Sequence, residues 1–154
     1  MQKFLILFSL LFLTACQSTH ASLSESKSDT GMDDVTEYAL SLTGTPYKYG
    51  GTSPDSGFDC SGFVGYVFMQ KLGKSLPRSS RELSRVGTVQ KSGMLRPGDL
   101  VFYNTLNKAY SHVGIYLGDE QFIHSPSSGK AVAVANMNEA YWRKRYNGAR
   151  RIMP

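Results

Sequence analysis

The sequence predicts an α+β fold, with helices in the first half of the domain packed on an antiparallel sheet built from the second half. Three observations carry that prediction. Apolar residues recur at helical spacing early, at Val35, Tyr38, Ala39 and Leu42 and again at Phe63, Val64, Val67, Phe68 and Leu72. The later sequence breaks into short β-rich runs bounded by turn residues, LVFY, HVGIYLG, QFIHS and AVAVA. Helical and strand patterns do not alternate, which argues against a doubly wound parallel sheet. A length of 154 residues with 41% hydrophobic and 19% charged residues suits one domain with its own core, and excludes a disordered chain.

The first 15 residues stand apart from that domain. Lys3 precedes an apolar run from Phe4 to Leu13, interrupted only by Ser9. The run is shorter than the roughly 20 residues a bilayer span needs, and its layout is that of a secretory signal. Leu13-Thr14-Ala15-Cys16 resembles a bacterial lipobox, in which the cysteine is acylated and becomes the mature N-terminus. An ordinary cleaved signal with an incidental Cys16 is the alternative. Gln17 at the next position, by the same resemblance, implies sorting to the outer membrane, with the protein lipid-anchored and facing the periplasm. Residues 16–32 are polar and serine-rich and read as a lipidated N-terminus and flexible tether. The domain then occupies residues 33–154.

Within it, Asp33 or Asp34 can cap the first helix, and Gly44 can stop it. Residues 44–57, dense in Gly and Pro, form a loop. The helix after Cys60 ends at Gly73. Ser79-Ser80-Arg81-Glu82 fits a capping box that opens a short helix to about Val86. Arg96-Pro97-Gly98-Asp99 turns into the strand LVFY, and Gly118-Asp119-Glu120 turns a hairpin between HVGIYLG and QFIHS. AVAVA is a further strand, residues 136–146 a short helix, and Asn147-Gly148 a turn before a last strand over residues 149–153.

The net charge is +5, partly from Arg143, Lys144, Arg145, Arg150 and Arg151. Export makes nucleic acid an unfit partner. A solvated face, or attraction to an anionic envelope polymer or lipid headgroup, fits this cluster.

The chemistry centres on FDCSGFVGYVF, residues 58–68. The chain has 2 cysteines, so acylation of Cys16 leaves Cys60 without an intrachain partner. Asp59 as N-cap puts Cys60 in the first helical turn, where unpaired N–H groups and the helix dipole favour a thiolate. The same N–H groups can serve as an oxyanion hole. A thiol nucleophile needs a histidine base held by a third polar group. The domain has two histidines, His112 and His124, at the outer ends of the hairpin strands. A turn at residues 118–120 places residues opposite one another when their numbers sum to about 238, which makes the two histidines near neighbours. Taken singly, the cysteine fits a core position and each histidine a structural one. Cysteine at a helix start followed by histidine at a strand start is the papain-like order. Three-ligand metal binding by Cys60, His112 and His124 is a weaker fit, since no short-spaced ligand pair is present.

FDCSGFVGYVF, SHVGIYLG and FIHS resemble the motifs of the NlpC-type cell-wall peptidases, a papain-like family that hydrolyses peptidoglycan stem peptides. GTPYKYGG, SLPRSS and LRPGDLVF match at the expected intervals, and the likeness covers residues 33–154. The resemblance implies that Cys60 attacks the scissile carbonyl, that His112 takes the thiol proton and that His124 holds the imidazole. It implies that Tyr47 reaches the thiol side of the cleft, and that Asp59, Ser61 and Arg78 are substrate contacts. Asp59 could bind a substrate ammonium as well as cap its helix. Tyr49 stands where many relatives carry Trp or Leu.

The expected protein is therefore a monomeric murein endopeptidase lipoprotein that needs no metal or cofactor. Its expected bond is the D-alanyl–meso-diaminopimelate crosslink. The D-glutamyl–diaminopimelate bond within one stem is the alternative, and a muropeptide-binding lipoprotein without turnover is the alternative of another class.

Overall fold

The computed structural model describes residues 27–127 and 129–153. Cys16 and the signal read in residues 1–15 lie outside the described residues. Helix α1 spans Lys27–Ser41, and β1 (Thr52–Ser53) and β2 (Gly57–Phe58) form a small ribbon in the following loop. Helices α2 (Cys60–Leu72) and α3 (Ser80–Leu83) come next, then β3 (Thr88–Gln90), β4 (Leu100–Tyr103), β5 (His112–Gly118), β6 (Gln121–His124) and β7 (Ala133–Asn136). Helix α4 (Ala140–Arg145) and β8 (Tyr146–Arg151) close the domain. The six-stranded antiparallel sheet has the order β3-β8-β4-β5-β6-β7. The α+β class, with helices packed on an antiparallel sheet, is what the residue pattern predicted.

Each face of the sheet buries one set of side chains. Leu100, Phe102, Val113, Ile115 and Ile123 face α1 and α2 and join Val35, Phe63, Val64, Val67 and Phe68 in the main core. Val101, Tyr103, Tyr116 and Phe122 point the other way and pack with Met137 and Ala149 beside Trp142. Alternation along β4 thus sends successive residues to two different cores, which is why LVFY is apolar throughout.

Helix α2 is fixed at both ends as its sequence predicts. Asp59 (φ −90°, ψ 177°) caps it by accepting the Gly62 N–H, and Gly73 (φ 62°) ends it with an N–H that reaches the Phe68 and Met69 carbonyls. Gly62 has a second role. A Cβ there would collide with the Gly51 carbonyl, so glycine lets the loop before α2 lie against the helix start.

Several expected bounds change: residues 27–32, read as tether, belong to α1, the strand read at 131–135 is β7 (Ala133–Asn136), the helix read at 136–146 is α4 (Ala140–Arg145), and the last strand is β8 (Tyr146–Arg151) in place of 149–153. Helix α1 begins upstream of Asp33, because Met32 also packs on the main core and extends the apolar stripe by a turn. Ser79 caps α3 as expected, accepting the Glu82 N–H, but the helix ends at Leu83. Asn147-Gly148 is no turn. Phe102 pairs with Gly148 and Tyr103 with Tyr146, so Asn147 is the extra residue of a bulge in β8, and its Oδ1 accepts the Tyr110 N–H at 2.8 Å.

Candidate active site

The hairpin register places the two histidines. Ile115 pairs with Ile123 and Tyr116 with Phe122, the register predicted from the turn. His112 Nε2 lies 2.7 Å from His124 Nδ1, with the rings at 89°. Both are buried, at 3% and 4% exposure. Burial holds His112 near a pKa of about 4 and, with the charge of Lys130 and the neighbouring imidazole, His124 near about 3. Both rings are therefore neutral at pH 7. An Nε2–H on His112, donated to His124, leaves Nδ1 of His112 as the acceptor for a second proton.

Cys60 opens α2 and is half-buried. Two contacts bring it to the histidine pair. The Val113 N–H approaches the sulfur, and Val113 follows His112 in β5. On the other side, the fully buried Ser125 donates to the Phe58 carbonyl at 2.7 Å, which ties the end of β6, next to His124, to the strand just before Cys60. Cys60, His112, His124 and Tyr47 line one cavity of about 710 Å³.

The thiol differs from its sequence expectation. Burial and the negative charge of Asp59 push its pKa up, against the pull of the Val113, Ser61 and Cys60 N–H groups. The lowered value anticipated for a helix start requires a nearby cation, and the desolvated histidines supply none. The resting pair is a neutral thiol beside a neutral imidazole.

Asp59, Ser61 and Arg78 form a separate cluster beside the helix start and are not among the residues lining that cavity. Arg78 grips Asp59 through both nitrogens, Nη1 to Oδ1 at 2.8 Å and Nη2 to Oδ2 at 2.6 Å. Gly50 and Gly62 N–H groups also donate to the carboxylate, at 3.0 and 2.8 Å. Burial opposes ionisation of Asp59, but the Arg78 and Gly62 hydrogen bonds outweigh it and hold the carboxyl below its ordinary value. Ser61 donates to the Arg78 carbonyl at 2.6 Å. The Tyr47 hydroxyl is pushed up by burial and by the charges of Asp59 and Cys60.

Trp142 was not singled out by the sequence reading. Its ring stacks on His112 (centroids 5.7 Å apart, 25°) and meets His124 edge-on at 4.9 Å and 87°. Tyr103 and Phe122 hold its other sides. The only sequence signal is that this is the sole tryptophan, directly before the basic run Arg143-Lys144-Arg145. Among the described residues, no group of three or more His, Cys, Asp and Glu side chains is gathered as a metal site requires.

A model of the NlpC/P60 family matches residues 44–151. The murein DD-endopeptidase MepS/murein LD-carboxypeptidase of Escherichia coli K12 is 44% identical over 110 residues, 71% of this chain and 57% of that protein. The gamma-DL-glutamyl hydrolase of Bacillus subtilis 168 is 42% identical over 119 residues, 77% of this chain and 29% of that protein. A crystal structure of an NlpC/P60 family protein from Bacillus cereus ATCC 10987 superposes with a TM-score of 0.74 at 35% identity, covering 80% of this chain and 40% of that one. The chain thus spans little more than half of these curated relatives at most. The matched segment contains the helix-start cysteine and both histidines, and the chain belongs to the NlpC/P60 family.

Proposed function

We propose that this protein is a cysteine peptidase that cuts peptide bonds in peptidoglycan. The observation that carries the reading is the 2.7 Å bond between His112 and His124 on the cavity that also holds Cys60. His112 Nδ1 takes the thiol proton as the sulfur attacks the scissile carbonyl carbon, and the imidazolium formed is held through Nε2 by His124. The N–H groups at the start of α2 face the developing negative charge. Collapse of the tetrahedral intermediate expels the amine, which leaves with a proton from His112, and gives a thioester on Cys60. Water, deprotonated by the same ring, then releases the acid and regenerates the thiol.

The D-alanyl–meso-diaminopimelate crosslink is the preferred bond, supported by the 44% identity to a murein DD-endopeptidase. The 42% identity to a gamma-DL-glutamyl hydrolase supports the D-glutamyl–diaminopimelate bond as the second reading. Acylation of Cys16 and an outer-membrane location facing the periplasm rest on Leu13-Thr14-Ala15-Cys16 and Gln17. The monomer remains the working oligomeric state. Digestion of crosslinked diaminopimelate muropeptides, read by mass spectrometry, tests the assignment. Dimers converted to intact tetrapeptide monomers support crosslink cleavage, dipeptide stems move the assignment to the intra-stem bond, and retention of muropeptide without any cleavage makes the protein a binding module.

A further inference from the structure

Two side chains on the cavity wall carry a formal charge, Lys130 and Glu139. They flank Ala133, Val134 and Ala135 of β7, which supply an uncharged strip between them. Among the described residues neither forms an ion pair. Glu139 begins α4 without using its side chain as a cap.

The main chain at Lys130 is held firmly, although its side chain is exposed. Its carbonyl accepts the Tyr47 N–H at 2.8 Å, its own N–H reaches the Ser127 carbonyl at 3.1 Å, and Ala131 bridges to Pro46. A cation on this anchored segment thus stands beside Tyr47 on the wall of the cavity that holds Cys60.

The position along the cleft follows from the chemistry. His112 delivers a proton to the departing amine, so the leaving group lies over the histidines. Lys130 follows the strand that ends in His124 and lines the cavity with both histidines, whereas Asp59, the neighbour of Cys60, does not line it.

We infer that Lys130 forms a carboxylate-reading subsite on the leaving-group side of the cleft, for substrates whose scissile nitrogen is attached to a carbon bearing a free carboxylate. The inference rests on the peptidoglycan endopeptidase reading and deepens it. In the D-alanyl–diaminopimelate crosslink, the carbon that bears the scissile nitrogen carries such a carboxylate. An exposed ammonium–carboxylate contact gives several-fold discrimination and is weakened by salt.

The test uses two crosslinked muropeptide dimers, identical except that the carboxyl group beside the scissile nitrogen is free in one and amidated in the other. Wild type should cut the free acid with a kcat/KM about fivefold or more above that of the amide. Lys130→Met should bring the ratio close to one, Lys130→Arg should keep it, and Lys130→Glu should invert it. A wild type indifferent to amidation, or a Lys130→Met protein with the wild-type ratio, overturns the subsite while leaving the endopeptidase reading intact. Cleavage of neither dimer by wild type contradicts the endopeptidase reading and removes the subsite with it. A ratio within one protein is insensitive to the fraction of molecules folded, so loss of stability in a variant does not imitate loss of discrimination.

Discussion

His112 and His124 share a hydrogen bond of 2.7 Å in a buried pocket, with their rings perpendicular. The contact assigns unequal roles. His112 precedes Val113, whose N–H reaches the nucleophile, and His124 hydrogen-bonds Nε2 of the His112 ring. His112→Ala should lower kcat about a hundredfold or more, as removal of a general base does. His124→Ala should lower it less, and His124→Asn, which keeps a hydrogen-bond acceptor, less still. Steady-state rates of the three proteins on one muropeptide check the ranking.

The same burial makes stability depend on pH. Both histidines have folded pKa values below the ordinary 6.5, at about 4 and about 3. Below pH 6.5 the unfolded chain takes up protons that the folded chain refuses, so stability falls as pH drops from about 6.5 towards 4. Thermal melts at pH 7.5, 6 and 5 should show a falling midpoint, and a double His112→Phe/His124→Leu protein should show a flatter dependence over that window. An equally steep slope in the double variant would place the titration elsewhere.

Trp142 covers both rings, so its removal should admit water to them. Trp142→Ala should lower kcat by about ten- to a hundredfold through loosened geometry. It should also move the acid limb of the kcat/KM profile upward, towards the ordinary imidazole range, while Trp142→Phe keeps most of the activity and the wild-type limb. An unshifted limb in Trp142→Ala would reduce the ring to packing.

Asp59 acts on α2 and on the thiol in opposite ways. Its side chain caps the helix, so Asp59→Ala should lower stability by about 1 kcal/mol, seen in denaturant unfolding. Its charge disfavours the Cys60 thiolate. Asp59→Asn, which can still cap, should lower the pH midpoint of Cys60 alkylation by iodoacetamide relative to wild type.

Much of this site is written in local signals. The cap at Asp59, the stop at Gly73 and the hairpin turn are short-range features with strong stereochemical preferences, and they fix where Cys60, His112 and His124 stand. The upstream start of α1 turned on one residue, Met32, whose burial depends on the sheet beneath it. The bulge at Asn147 was hidden because Asn-Gly is also the commonest hairpin turn, and only the pairing of β8 with β4 distinguishes the two. Trp142 and Lys130 reach the cleft through tertiary packing of short segments, which leaves no periodic trace. The direction of the thiol shift escaped for a related reason. Helix-start electrostatics can be read from spacing, but the desolvation that outweighs it follows from burial against β5.

The central claim is that Cys60 is the nucleophile served by the histidine pair. The most direct test compares wild type with Cys60→Ala on crosslinked diaminopimelate muropeptides, measuring product formation and muropeptide binding in parallel. The account predicts that Cys60→Ala binds muropeptide with near wild-type affinity and forms no product. Product formation by Cys60→Ala at a wild-type rate would contradict it.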